Sequence, residues 1–393
     1  MAEVKSIRAH RLRDYRLEGW KERIAGRWSY RQLAADPAWR DGWISFDAVA
    51  WDDAERRVYC GLNSIDGDLL YTFDPAAERF TCLDTRAWTD AFDVKIHRTL
   101  LRNPRDGCYY FATSLLHDLE DQRAAPGGKL ARYDPRTGST TVLATPMPHF
   151  YVQSIAADWE RGIIYGFTYP AEAVFRYNLA DGKVETLAWI GNSLMFAQPH
   201  NAVVDRDGWL WGTCAETRAW DETTGPCPIR LFKYHPEGDR FVWFEHGLSR
   251  AETGGELLAE TRHRQDYGFC DAMACDGGDY IYAGTVAGVL CRIAIATGAV
   301  EKIADVMAAG RFPALAIRDG ILYGGGGMNG RTQLVRYDPR SGRLDRYDRL
   351  VEPESGETPA RIHELAVSGD HTLYLGENDN HSRSSYLWSV RLD

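Results

Sequence analysis

Apolar and polar residues alternate with a period of two in short runs along most of the chain, and the runs are separated by turns rich in Asp, Pro and Gly. This is the pattern of half-buried strands joined as hairpins. One hairpin unit recurs as "LYTFDPAAERF" (70–80), "LARYDPRTGST" (130–140), "VFRYNLADGKV" (174–184), "LFKYHPEGDRF" (231–241), "LCRIAIATGAV" (290–300) and "LVRYDPRSGRL" (334–344), and "LWSVRLD" closes the chain. A second unit precedes each copy: a strand of small residues, a polar turn, then a strand ending in an aromatic and usually a Gly. "DAVAWDDAERRVYCG", "AMACDGGDYIYAG" and "LAVSGDHTLYLG" are examples. Four strands per repeat, seven repeats and spacings of 44 to 60 residues predict an all-β chain, a seven-bladed β-propeller of four-stranded antiparallel blades.

The expectation is one propeller domain over residues 1–393. The last repeat lacks a fourth strand, and "AHRLRDYRLEG" (9–19) resembles the fourth strand "GRLDRYDRLVE" (342–352). Residues about 8–18 are therefore expected to complete blade seven, removing exposed edges. "GGGGM" (324–328) is followed by no helix pattern and no Gly-Lys-Ser/Thr, so it reads as a strand end closely approached by neighbours rather than a phosphate loop.

Composition narrows the classes. Hydrophobic residues make up 44% of the 393, enough for a large core, yet no apolar run is long enough to span a bilayer. The first twenty residues are charged and lack a signal peptide's apolar stretch, so a cytoplasmic location is expected, and the eight scattered cysteines are not expected to form disulfides. A net charge of −10 disfavours nucleic acid, although a local Arg/His cluster can still bind an anion.

Aligned by repeat, the residue opening each innermost strand is Phe46, His97, Gln153, His200, Cys270, Phe312 or His363. In a propeller these positions converge. Polar residues lining a wet channel are the plain alternative. His200, Cys214, Cys227 and Cys270 have the ligand types that zinc prefers and form an expected structural zinc site; small apolar filling is the other fate of such cysteines. His97, His117 and Tyr169 supply imidazole and phenol groups for proton transfer. Gln153, Asn201, Arg218, Arg264 and His363 are the expected substrate-binding groups. Asp47, Asn201, Asp271 and Glu364 would be the ligands of a calcium-dependent lactonase or hydrolase. Strand alternation is expected to turn them away from the ring.

"KIHRTLL" and "TSLLHDL" set His97 and His117 twenty residues apart, and "GFTYPAEAVFRYN" supplies Tyr169 and Arg176. With the seven repeats, this resembles the seven-bladed propeller polysaccharide lyases, the ulvan lyases in particular. The resemblance implies β-elimination on a uronic-acid sugar, with His97, His117, Tyr169 and Arg176 as catalytic residues and a zinc held by His and Cys. Tyr169 would act as base and then acid with His97 as its partner, or the two would exchange roles. Arg176 has an equally plain reading as a solvated strand residue, since Arg132, Lys233, Arg292 and Arg336 are its repeat equivalents. The chain is shorter than the secreted ulvan lyases and lacks their signal peptide. It shares that with the cytoplasmic oligogalacturonate lyases, whose metal is held by histidines and a glutamine; Gln153, His363 and His381 would be the matching groups. The expected partner is an anionic uronate-containing oligosaccharide or polysaccharide, with no nucleic acid, no membrane and a monomeric chain. A sugar-binding propeller without catalysis is the main rival.

Overall fold

The structure is a computed structural model, and it describes residues 2–16, 29–169, 172–191, 202–215, 229–251, 268–307, 310–328 and 330–393. The alternating runs form strands, 29 of them among the described residues, arranged as repeats of four antiparallel strands. They belong to two compact units: Met1–Val152 with Asn329–Thr332 and Tyr347–Asp393, and Gln153–Met328 with Gln333–Arg346.

The first unit holds repeats one, two and seven. Repeat one is Ile44–Asp52, Arg57–Ser64, Leu70–Asp74 and Arg79–Cys82. In repeat two the innermost strand is broken into Asp93–Ile96 and Leu101–Arg102, followed by Tyr109–Leu115, Leu130–Asp134 and Ser139–Ala144. A single pairing, Asn63 with Lys95, joins these two repeats into one sheet. Repeat seven is Ile362–Val367, Leu373–Glu377 and Leu387–Leu392, and an N-terminal strand completes it as expected.

That N-terminal strand is Val4–His10 rather than 8–18, with Ile7 opposite Val390 and Ala9 opposite Trp388. Ile7 and Ala9 are buried and Arg8 between them is exposed, which is the alternation a strand with one covered face requires. Residues 11–16 carry Arg11, Arg13, Asp14 and Arg16 and have no such face.

The strand ends on a pH-sensitive contact. His10 is buried, its Nε2 lies 2.8 Å from Ser389 Oγ, and its ring packs on Phe73 at 4.4 Å between centroids. Burial, aided by Arg8 and opposed by Glu352, pushes its pKa down to about 4. The folded chain thus holds a neutral imidazole that the unfolded chain would protonate below pH ~6.5. Stability is level above that value and falls as pH drops towards about 4, by about 3 kcal/mol in all. Melting temperatures at pH 7 and pH 5 should differ more in the parent than in His10→Gln; equal differences would refute this assignment.

The second unit holds repeats three to six, opened by Tyr151–Asp158, Val203–Val204, Cys270–Cys275 and Ala314–Arg318. Neighbouring repeats share their cores. Phe46, Val58 and Phe73 of repeat one pack with Tyr374 and Leu387 of repeat seven, and Trp211 and Leu231 of repeat four pack with Ile281 and Val289 of repeat five. A single repeat cannot cover its own faces, so this sharing is what makes the array stable.

Two glycines show why the second strands end as they do. A Cβ on Gly376 would lie 2.6 Å from the carbonyl oxygen of Phe46, and one on Gly326, inside strand Ile321–Met328, 2.2 Å from that of Arg311. The glycine-rich stretch is a strand where backbone approaches backbone. Gly376→Ala is expected to cost about 1–3 kcal/mol of overpacking, measurable by urea titration; an unchanged midpoint would show that the inner strands yield freely.

Two short helices, Tyr30–Ala35 and Pro37–Gly42, were not expected from the sequence. Asp118 ties the first down: its carboxylate accepts from the Tyr30 and Arg31 amides, at 2.5 and 3.1 Å. Leu33, Trp39 and Trp43 form a small core of their own beneath them.

Candidate functional site

The most concentrated chemistry lies in the first unit, where Asp47, His97 and His363 are all buried and offer ligand atoms within 4.8 Å of one another. The sequence alignment had put Asp47 and His363 on different positions. Pairing corrects this. Phe46 pairs with Leu62 and Ala48 with Gly61, so Asp47 falls in a break of register; Ile362 pairs with Glu377 and Glu364 with Gly376, so His363 falls in the same break. In repeat five Asp271 occupies it, between Cys270 opposite Thr285 and Ala272 opposite Gly284. These are β-bulges, whose extra residue is free to be aimed independently of the ladder. The expectation that alternation would turn Asp47 away fails because the bulge shifts the alternation by one residue.

Repeat two is more distorted still. Arg98 has φ 43°, in the left-handed region, and is almost fully buried. Its neighbour Thr99 bonds through Oγ1 to both the amide and the carbonyl of Ala112, across the gap between Asp93–Ile96 and Leu101–Arg102. The break brings the His97 ring to 4.9 Å from that of His363, at 60° between planes. It also aims Arg98 at repeat seven, where Nη2 donates to the His363 carbonyl at 3.0 Å. Backbone strain of this kind at a buried charged residue is typical of functional sites.

Hydrogen bonds orient the groups. Nδ1 of His363 lies 3.2 Å from the Asp47 carbonyl oxygen and 3.5 Å from Arg98 Nε. The carbonyl contact, the shorter, calls for a proton on Nδ1, and the Arg98 contact calls for a lone pair there. Asn378 Nδ2 donates to Asp47 Oδ1 at 2.6 Å, and the Lys95 ammonium lies 2.5 Å from Oδ2. Burial pushes the Asp47 carboxyl up, Lys95 pulls it down and Asp379 adds to the rise, leaving it above its ordinary value. Lys95 thus pairs with the Asp47 carboxylate, while Arg98 is held on the His363 carbonyl beside it.

Of the other expected catalytic residues, His117 is half-buried in the loop after Tyr109–Leu115, with Nδ1 2.8 Å from the Asp118 carbonyl oxygen. Pairing of Ile96 with Thr113 and of Asp93 with Leu115 runs the two strands in opposite directions, so His117 lies further along the ladder and away from His97. Tyr169 ends strand Ile163–Tyr169 in the second unit. Burial, with Glu172 adding, raises its phenol above the ordinary value. Arg176 donates to Glu185 and to the Tyr234 hydroxyl, both at 2.6 Å, the setting of a strand-face ion pair.

Gln153 is buried in the strand Tyr151–Asp158 of the second unit. Cys214 packs with Phe167 and Phe232, and Cys270 packs with Trp211 and Met273. The described cysteines are free thiols. Asn201, Arg218 and Arg264, and the zinc candidates His200 and Cys227, lie outside the described residues. The sequence reading missed Lys95 and Arg98. Aligning repeats on the terminal glycines Gly61, Gly284 and Gly376 would have shown Asp47, Asp271 and His363 as equivalent.

No family model matches the chain, and no curated protein matches it in sequence. Solved structures do match in fold. The chain is similar to RRP9 WD40 repeats, with a TM-score of 0.57, 11% identity and coverage of 100% of this chain and 99% of that one. It is also similar to the extracellular domain of the putative hybrid two component system BT4673 from B. thetaiotaomicron, with a TM-score of 0.56 and 14% identity over 88% of this chain. This chain spans 38% of that domain's length. At such identities the likeness is one of fold, and together with the antiparallel repeats it shows an all-β chain of the β-propeller class with an N-terminal strand completing the last repeat.

Proposed function

We propose that this protein is a lyase that cleaves a uronate-containing glycan by β-elimination, leaving an unsaturated uronate at the new end. The reaction has two requirements. The carboxylate beside C5 must be neutralised, because its charge opposes loss of the C5 proton, and a base must take that proton before the O4-linked sugar leaves. One observation carries the reading: His97 and His363 lie beside the buried Asp47, whose carboxylate pairs with Lys95, and Arg98 donates to the His363 carbonyl next to them. Lys95 and Arg98 bring positive charge into surroundings where charges are weakly screened. A substrate carboxylate meets what the first requirement needs.

The base is to be identified by substitution among His97, His117 and Tyr169. The variant that loses turnover while still binding the sugar marks it. Asp47 supports a second reading, a metal-dependent lactonase or hydrolase, because it joins the two histidines instead of turning away. Ultraviolet absorbance separates the two. Elimination creates a conjugated double bond, whereas hydrolysis creates none, so a rising signal with uronate oligosaccharides supports the lyase and product formation without it supports the hydrolase. The structural zinc proposed at Cys214 and Cys270 is a separate matter, read by metal content in a Cys214→Ser, Cys270→Ser variant.

A further inference from the structure

We propose that Asp47, His97 and His363 bind one divalent transition-metal ion, which takes the place of the Lys95 ammonium on Asp47. The three ligand atoms already lie within 4.8 Å of one another. Around a metal with bonds of about 2.1 Å they would stand about 3–4 Å apart, so closing the site needs little movement. Two imidazoles and one carboxylate are a donor set for Zn²⁺, Mn²⁺ or Fe²⁺ rather than for Ca²⁺ or Mg²⁺, which take oxygen ligands.

The surroundings have the form of a metal site's outer partners. Nδ1 of His363 lies 3.2 Å from the Asp47 carbonyl oxygen and Asp47 Oδ1 accepts from the Asn378 amide, contacts that orient both side chains as outer partners orient metal ligands. Among the described residues, the buried Oδ1 atoms of Asn378 and of Asn63, which pairs with Lys95 across the ladder, accept no hydrogen bond. Buried acceptors left in this way are costly, and a cation or its bound water beside Asn378 would satisfy one of them. Lys95 is the one member with an exit: its side chain is 20% exposed while Asp47 is fully covered. Its ammonium occupies the Asp47 oxygen that a metal cation would take. Arg98 stays in place and weakens the site by repulsion, so the affinity is set by competition between Lys95 and the ion.

The ion would present to a uronate carboxylate the charge that Lys95 presents without it. In that sense the inference rests on the site of the proposed function, but its test needs no sugar. Co²⁺ is added to the full-length protein after chelation, in the Cys214→Ser, Cys270→Ser background, and visible absorption is followed. One equivalent is expected to give weak d–d bands without a sulfur charge-transfer band. Asp47→Asn and His363→Ala should abolish them, and Lys95→Met, which keeps every ligand, should tighten binding roughly tenfold. The inference is overturned if no Co²⁺ is taken up by either the parent or Lys95→Met, or if uptake is unchanged in Asp47→Asn and His363→Ala. Normal metal uptake without lyase activity would instead sink the functional reading alone.

Discussion

Replacing Glu377 by alanine is expected to destabilise the fold by about 3–5 kcal/mol, the range for breaking a buried, hydrogen-bonded ion pair. Glu377 is fully buried and its two oxygens accept five hydrogen bonds. Oε1 takes the Ala360 amide and Asn380 Nδ2, both at 2.8 Å. Oε2 takes Arg383 Nη1 at 2.9 Å, the Tyr386 amide at 2.8 Å and Trp388 Nε1 at 3.1 Å. Arg383 is itself only 1% exposed and keeps Glu357, the Thr358 and Ser384 carbonyls and the Tyr386 ring when Glu377 is removed. The loss therefore falls mainly on the other donors, each left dry and unpaired. Glu377→Gln keeps the shape but not the charge and should cost roughly half as much. Urea unfolding measures both, and a loss below ~1 kcal/mol for the alanine variant would show that water replaces the carboxylate. Glu377 is thus the anchor of repeat seven.

The second large effect is on activity. Arg98→Met, His97→Ala and His363→Ala are each expected to lower kcat/KM by roughly 10²–10³, the usual result of removing one preorganised group that stabilises developing charge. Arg98→Lys should recover little, because Arg98 both carries charge and braces the His363 carbonyl through Nη2. Arg176→Ala should leave turnover nearly unchanged, since its guanidinium is spent on Glu185 and Tyr234. If Arg176→Ala removes activity and Arg98→Met does not, the site has been placed wrongly.

The repeats were legible because each writes the same two signals: alternation along the strands and Asp/Pro/Gly at the turns. Asp74, Asp134 and Asp338 each cap their own turn by accepting amides two residues on, which is why "DP" recurs. The N-terminal strand was legible as a strand but not in its position, because likeness to a charged outer strand outweighed the burial of Ile7 and Ala9. The site was legible only in part. His97 and His363 stood out as histidines before apolar runs, and the structure brings them together. Asp47 did not, because a bulge is an inserted residue that a period-two reading takes for part of the alternation. Arg98 was hidden for a related reason: a buried arginine at φ 43° has no counterpart in strand propensities.

The most direct test is ultraviolet absorbance during incubation of the purified protein with a panel of uronate-containing oligosaccharides and polysaccharides, ulvan among them. The account predicts a rise with at least one of them that Arg98→Met and His363→Ala suppress while both variants keep the parent's circular dichroism. Sugar binding with no rise on any member of the panel, or a rise that both variants retain, would contradict it.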